Sequence, residues 1–255
     1  KGPDRSYFGG CSNGGRHTLV AAARYADEYD GYLAGAPGYN LPLAALANIF
    51  GAQRYATVAT DDPTTPPGLA TAFTTAERAT VANAVLARCD ALDGVTDGLV
   101  QDTRTCQRRF SLMRDVPTCL GSRDGTCLSQ AQKLAIAPIF RGATTSNGER
   151  FYTGFHYDSG FGASGIAFWE FTAPLALDSG AVGQIFQVPP VATVAPTFSL
   201  DLNIDAALAQ LFATDATYTE SAMQFMTPPQ ATQLNDVRAR GAKMLVYHGV
   251  SDQIF

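Results

Sequence analysis

No lysine or arginine stands between Arg150 and Arg238, while the same stretch holds eight acids: Asp158, Glu170, Asp178, Asp201, Asp205, Asp215, Glu220 and Asp236. That stretch has no guanidinium or ammonium to offer an anionic ligand. A solvated acidic surface is its plainer reading. Charge is scarce overall, at 16% of residues against 46% hydrophobic, which excludes a disordered polyelectrolyte. The net charge of -5 argues against a general nucleic-acid binder. No apolar run approaches the ~18 residues of a membrane-spanning helix. Histidine is confined to His17, His156 and His248, and tryptophan to Trp169. An initiating methionine is lacking too: the chain opens on Lys1 and stops at Phe255, directly after a strand-like run and a turn. The 255 residues fit one large domain, or one domain carrying an insertion, and these ends lead us to expect a piece of a longer protein.

What is present reads as α/β at both ends. Ser6-Tyr7-Phe8 is β-prone and Gly9-Gly10 should break it. Arg16 to Tyr25 is a good helix, and Tyr32-Leu33-Ala34 a short strand closed by a turn at Gly35-Ala36-Pro37-Gly38. Strand, helix, strand at these lengths predicts a βαβ unit and a parallel sheet. A polar segment from Asp236 to Gly241 then leads into a buried strand, Lys243 to Tyr247. The loop His248 to Asp252 follows at its carboxyl end, where open parallel sheets place function. The middle has most of the prolines and few strand-like runs. It predicts helices over Thr75–Ala91, with Val81, Val85 and Leu86 on one face, and over Ser129–Phe140, with Ser129 as N-cap. We expect core at 1–40, an inserted domain at 41–232, and core again at 233–255, in preference to two domains in series.

Gly10-Cys11-Ser12-Asn13-Gly14 is the one G-x-S-x-G of the chain, between a predicted strand and a predicted helix. A sharp turn there strains the serine backbone and lifts its hydroxyl above the sheet, with glycine required two residues either side. It also aims the Asn13 N–H and a helix N-terminus at a developing oxyanion. Ser12 is thus the candidate nucleophile; the bland alternative is a glycine-rich helix cap. A nucleophilic serine needs a base, and the base an orienting carboxylate. Asp252, after the last strand, is the candidate acid; its alternative is an ordinary turn aspartate. All three histidines precede it. His17 reads as structural, His156 as packed or surface, and His248 as a residue that shapes the loop. The base is therefore expected beyond Phe255.

Cys89-Asp90-Ala91-Leu92-Asp93-Gly94-Val95-Thr96-Asp97-Gly98-Leu99 gathers three carboxylates around two Asp-Gly bends. Hard oxygens in such a loop suit Ca²⁺, with Asp90, Asp93 and Asp97 side chains and the carbonyls of Val95 and Leu99 as ligands. Asx turns without metal are the alternative. Cys89 and Cys106 bracket this loop, and Cys119 and Cys127 bracket a second short segment. Both sets read as local staples of an oxidising compartment, although five cysteines leave the pairing open. Cys11 would be left over, as a buried thiol or as a half-cystine tied to something outside the chain.

These pieces together resemble the tannase and feruloyl esterase family of serine esterases. The carriers are Tyr7-Phe8-Gly9-Gly10-Cys11-Ser12-Asn13-Gly14-Gly15-Arg16, Tyr29 to Pro37, the Cys89–Gly98 loop, and Tyr247-His248-Gly249-Val250-Ser251-Asp252. The resemblance implies an α/β-hydrolase core with a large lid inserted between nucleophile and acid. It implies Ser12 and Asp252 in a triad completed by a histidine in a later His-Cys pair. The cysteine of that pair would bond Cys11. It further implies a structural Ca²⁺ in the lid, the bridges Cys89–Cys106 and Cys119–Cys127, and a secreted or periplasmic setting. Family substrates are esters of aromatic acids: ferulate and other hydroxycinnamates, gallate, and mono(2-hydroxyethyl) terephthalate. In the terephthalate branch the acid loop ends in a phenylalanine, which makes Phe255 an aryl contact, and a lid arginine binds the substrate carboxylate. The absence of cations after Arg150 counts against that charged substrate here. Trp169 is a candidate wall for the aromatic acyl group, or else part of the lid core. The reading is a carboxylic ester hydrolase for neutral aromatic esters, foremost hydroxycinnamoyl esters. The alternatives are a terephthalate-monoester or tannin acyl hydrolase and, from another class, a non-catalytic calcium-stapled binding module. Neither nucleic acid nor membrane is an expected partner.

Overall fold

The computed structural model describes residues 2–229, 234–252 and 254. Three strands form one parallel sheet in the order β1 (Tyr7–Cys11), β2 (Gly31–Gly35), β3 (Lys243–Tyr247). Helix α1 (Asn13–Arg24) makes the crossover from β1 to β2. The strand ends are in line, with Cys11 paired to Gly35 and Gly35 to Tyr247. Two glycines of β2 accept large neighbours: a Cβ on Gly31 would lie 2.8 Å from the Tyr7 ring, and one on Gly35 would lie 2.4 Å from the Tyr247 hydroxyl. These two tyrosines therefore lie across backbone that carries no side chain.

One face of the sheet is covered. Phe8, Tyr32 and Met244 share a register line and pack with Ala21, Ala22 and Ala26 of α1 and its exit turn, and with Val237 of the helix Asn235–Arg240. On the other face Tyr7, Leu33, Leu245 and Tyr247 are exposed.

Between β2 and β3 the described residues are helix and loop, with no strand beyond isolated bridges. Helix α2 (Leu41–Ala56) runs through its centre. Its Leu46 and Ile49 join Val182, Phe186 and Leu211 in one core. Its Ala52 and Tyr55 join Phe73, Val85, Ile136 and Phe171 in another. The helix Thr75–Cys89 begins with a capping box between Thr74 and Glu77, and Gln130–Arg141 begins with one between Ser129 and Gln132. Cys89–Cys106 and Cys119–Cys127 are disulfides. Among the described residues no helix is long and apolar enough to cross a membrane.

The structure moves three boundaries. β1 continues through Gly9 and Gly10, because their lack of side chains lets α1 and β2 close on them. Helix α1 starts at Asn13 rather than Arg16, so it includes two more glycines of the turn. The polar segment before β3 is itself a helix, Asn235–Arg240, with Val237 as its buried residue.

Candidate functional site

Ser12 sits where β1 ends and α1 begins, with φ 59° and ψ −121°. This is a positive-φ conformation that an L-residue other than glycine rarely adopts. Tight packing holds it there. Its N–H donates to Gly35 O at 3.0 Å, and its carbonyl accepts from Arg16 N at 3.0 Å and Gly38 N at 3.3 Å. A Cβ on Gly10 would come 2.7 Å from the Gly14 carbonyl carbon, and one on Gly15 would come 2.4 Å from Gly35 O. A Cβ on Gly14 would meet nothing within 4 Å. The motif thus needs glycine at Gly10 for clearance, whereas at Gly14 the clearance argument fails. The tightest approach belongs to Gly15, outside the motif. The Ser12 hydroxyl caps no amide of α1, and the residue is solvent-exposed. Asn13 opens α1, so its N–H is one of the unpaired donors of a helix N-terminus.

The acid loop leaves the same edge two strands away. Ala36 N donates to Tyr247 O at 2.8 Å, continuing the ladder past the strand ends. At ~4.8 Å per strand, β1 and β3 are ~10 Å apart. Asp252 Oδ1 accepts from Ile254 N at 2.9 Å, and its Oδ2 lies 3.3 Å from His248 Nε2. His17 Nε2 lies 3.0 Å from an Arg16 guanidinium nitrogen, and His156 Nδ1 lies 3.3 Å from Gln107 Nε2. None of the three is hydrogen-bonded to Ser12 among the described residues. Cys11, beside Ser12, is exposed and unpaired among the described residues.

An open cleft of about 700 Å³ adjoins this edge; Pro37, Tyr39, Asn40, Arg150, Tyr152 and His248 line it. Burial, and then the Asp252 charge, push the Tyr152 hydroxyl up to about 12. Tyr39, Asn40 and Tyr152 gave no signal in the sequence. Arg150 did, as the last cation before the long gap, and the structure places it on the cleft wall. The chain beyond Arg150 offers no cation, but Arg150 itself faces the space. Trp169 does not line this cleft; it meets Phe168 edge-on at 4.9 Å between ring centroids. Phe255 lies outside the described residues.

The loop from Asp90 is bent by Gly94 and Gly98, at φ 95° and 82°. Asp90 accepts from the Asp97 and Gly98 amides, Asp93 from Val95 and Gln101, and Asp97 from Leu99. These are hard oxygens, and each that accepts one amide keeps a further lone pair, so the donor chemistry fits Ca²⁺. The side chains are nonetheless turned onto the loop's own amides. Among the described residues no three His, Cys, Asp or Glu gather in a metal-holding group.

The model of the tannase and feruloyl esterase family matches residues 1–255. The chain belongs to that family. It is 32% identical to mono(2-hydroxyethyl) terephthalate hydrolase of Piscinibacter sakaiensis over 99% of this chain and 46% of the relative. Its fold superposes on feruloyl esterase B of Aspergillus oryzae with TM-score 0.71, at 23% identity, over 99% of this chain and 45% of that one. The tannin acyl hydrolase of Aspergillus niger gives TM-score 0.58 at 20% identity, over 96% of this chain and 43% of that one. The chain spans somewhat under half the length of these proteins.

Proposed function

We propose that the protein carrying this chain is a serine carboxylic ester hydrolase for esters of aromatic acids, with hydroxycinnamoyl esters as its preferred substrates. The observation that carries the reading is Ser12, held at positive φ between strand and helix on the carboxyl edge of a parallel sheet. In this mechanism Ser12 Oγ attacks the ester carbonyl while a histidine outside these residues takes its proton. The Asn13 N–H donates to the oxyanion. The intermediate expels the alcohol, which receives the proton, and leaves the acyl group on Ser12. Water then releases the acid by the same steps. Asp252 orients the histidine and stabilises its charged form. His248, paired to Asp252 on its own loop, is assigned to shaping that loop. The helical region between β2 and β3 acts as the lid, with Phe255 against the aryl group. Cys11 bonds a cysteine elsewhere in the protein, and the disulfides accord with a secreted or periplasmic setting.

Arg150 supports a second reading. Its place on the cleft supplies the cation that a terephthalate monoester requires, and the relative from Piscinibacter sakaiensis is named for that substrate. Comparing kcat/KM on methyl ferulate, methyl gallate and mono(2-hydroxyethyl) terephthalate separates the two. The first reading expects ferulate to lead by about tenfold or more. A lead for the terephthalate ester that Arg150→Ala removes establishes the second.

The loop from Asp90 is proposed to take a structural Ca²⁺ through Asp90, Asp93, Asp97 and the carbonyls of Val95 and Leu99. Bound there, the ion would neutralise three carboxylates and tie the loop together. The support is the donor chemistry and the bend of the loop.

A further inference from the structure

Between Asp102 and Asp115 the chain carries four arginines, Arg104, Arg108, Arg109 and Arg114, and no acid, in a protein whose net charge is -5. A disulfide brings up another. Cys106, in the helix Thr103–Arg109, is bonded to Cys89 at the end of the helix Thr75–Cys89, which places Arg88 beside them. The Arg109 carbonyl is one of the acceptors that a helix C-terminus leaves open. It accepts from Arg88 Nε at 3.3 Å and from an Arg114 guanidinium nitrogen. Arginines of three helical segments therefore meet at one carbonyl, and the side chains of all of them, with Arg104 and Arg108, are exposed. The acids nearby are committed elsewhere. Asp102 accepts from the Thr105 amide at 3.0 Å as a helix cap. Asp115 pairs with Arg114 at 2.6 Å and accepts from the Ser111 amide at 2.7 Å. Asp90, Asp93 and Asp97 are turned onto the amides of their own loop. Arg88, Arg104, Arg108 and Arg109 are in no ion pair among the described residues. Like charges gathered in this way repel until an anion answers them.

The arginine face lies close to the acid loop. Gln107 Nε2, from the same helix, donates to Phe155 O at 3.2 Å. Phe155 and His156 line an open cleft of about 240 Å³ together with His248, Gly249 and Asp252. We propose that the arginine face is a docking surface for an acidic polysaccharide, a polyuronate chain whose carboxylates pair with the guanidinium groups. The arginine fork matches a carboxylate, two N–H groups to two oxygens. Carboxylates repeated along one polymer engage several arginines together, each bond raising the effective concentration for the next. The one aromatic side chain between Asp102 and Asp115, Phe110, is buried, so this run of chain offers no ring on which a nucleobase could stack. Binding to the face stands apart from the catalytic reading. Its use in bringing polymer-borne esters to Ser12 rests on that reading, with the alcohol half of the ester belonging to the polysaccharide.

The test uses the catalytically competent protein that contains this chain. Polygalacturonate is the probe, dextran the neutral control, and double-stranded DNA and phosphatidylserine vesicles the competing polyanions. Polygalacturonate should bind at least about tenfold more tightly than dextran, and raising the salt from about 0.05 M to about 0.3 M should weaken it about tenfold. Arg104→Gln, Arg108→Gln and Arg109→Gln combined should weaken it by about tenfold or more, with kcat/KM on methyl ferulate within about twofold of the wild type. Binding no better than dextran, indifference to salt, undiminished affinity in the triple variant, or tighter binding of DNA or vesicles would overturn the docking face. The salt series is read on the wild type, so it reports even where the triple variant fails to fold. If polygalacturonate binds as described and methyl ferulate is not hydrolysed, the catalytic reading is wrong and the docking face stands. If methyl ferulate is hydrolysed and polygalacturonate does not bind, the docking face alone is wrong.

Discussion

At the scale of single residues, the elbow is specified by space as much as by chemistry. The place of the serine and the need for glycine at Gly10 were legible because a sharp strand-to-helix turn has few solutions, but the glycine expected at Gly14 is not needed for clearance. Which glycine is tightest was not legible, since that depends on how closely β2 approaches α1. The contacts give an ordered expectation. Gly15→Ala and Gly10→Ala push a methyl into backbone at 2.4 Å and 2.7 Å, and neither site has a flexible side chain that could give way. Each should destabilise by about 1–3 kcal/mol, whereas Gly14→Ala should stay within about 0.5 kcal/mol. Denaturant melts of the three variants check the order. A Gly14→Ala loss equal to that of Gly15→Ala would contradict the packing described. Tyr152 shows the converse limit: it looked ordinary in sequence because its significance lies in the cleft it lines with residues far along the chain.

At the scale of elements, the legible helices were those with a local sequence signal: the alanine- and leucine-rich run from Arg16, the apolar face of Thr75–Ala91, and the Ser129 N-cap. Thr75–Cys89 and Gln130–Arg141 each have a capping box and one apolar face. Helix α2 has neither a side-chain cap nor a one-sided pattern: ten of its residues, from Pro42 to Tyr55, are buried, so the apolar residues show no single face. Its polar contacts came to light only in the fold. Tyr55 donates to Glu170 at 2.6 Å, and Asn48 donates to Asp178 at 3.1 Å. Burial raises Glu170 to about 7. Burial, joined by the Glu170 charge, raises Asp178 to about 7 as well. Between the ordinary carboxylate range and about 7 the folded state therefore holds protons that the unfolded chain has released. Stability from these two groups is full at acid pH and falls as pH rises through that window, by up to about 1–3 kcal/mol each. Glu77 acts in the opposite sense: burial raises it, but Arg123, the Thr74 amide and Gln132 outweigh burial and leave it lowered, so its contribution is lost on acidification. Unfolding free energies from about pH 5 to about pH 8 should decline for the wild type and decline less for Glu170→Gln. Parallel curves for the two would rule out Glu170 as a source of the slope.

At the scale of the whole molecule, the sequence already told of strand-bearing ends with a long helix-and-loop stretch between them, because β-prone runs stood only at the ends. It could not tell how the cysteine-rich helical region meets the acid loop, since that contact is made by side chains with no local pattern. The proposed Ca²⁺ belongs to this scale, because it would stiffen the region as a unit. Adding Ca²⁺ after chelation should raise Tm by several degrees, as expected for a ligand that binds only the folded state. The triple variant Asp90→Asn, Asp93→Asn, Asp97→Asn should not respond. An identical Tm with chelator and with Ca²⁺ would remove the ion from the account.

The central claim is that Ser12 is the nucleophile of an ester hydrolase, and one paired measurement tests it most directly. In the catalytically competent protein, aryl-ester turnover and fluorophosphonate labelling are compared between the wild type and Ser12→Ala. The account predicts that turnover falls by about four orders of magnitude or more, that the label on residue 12 disappears, and that Tm stays within a few degrees. Turnover near the wild-type rate in Ser12→Ala would contradict it.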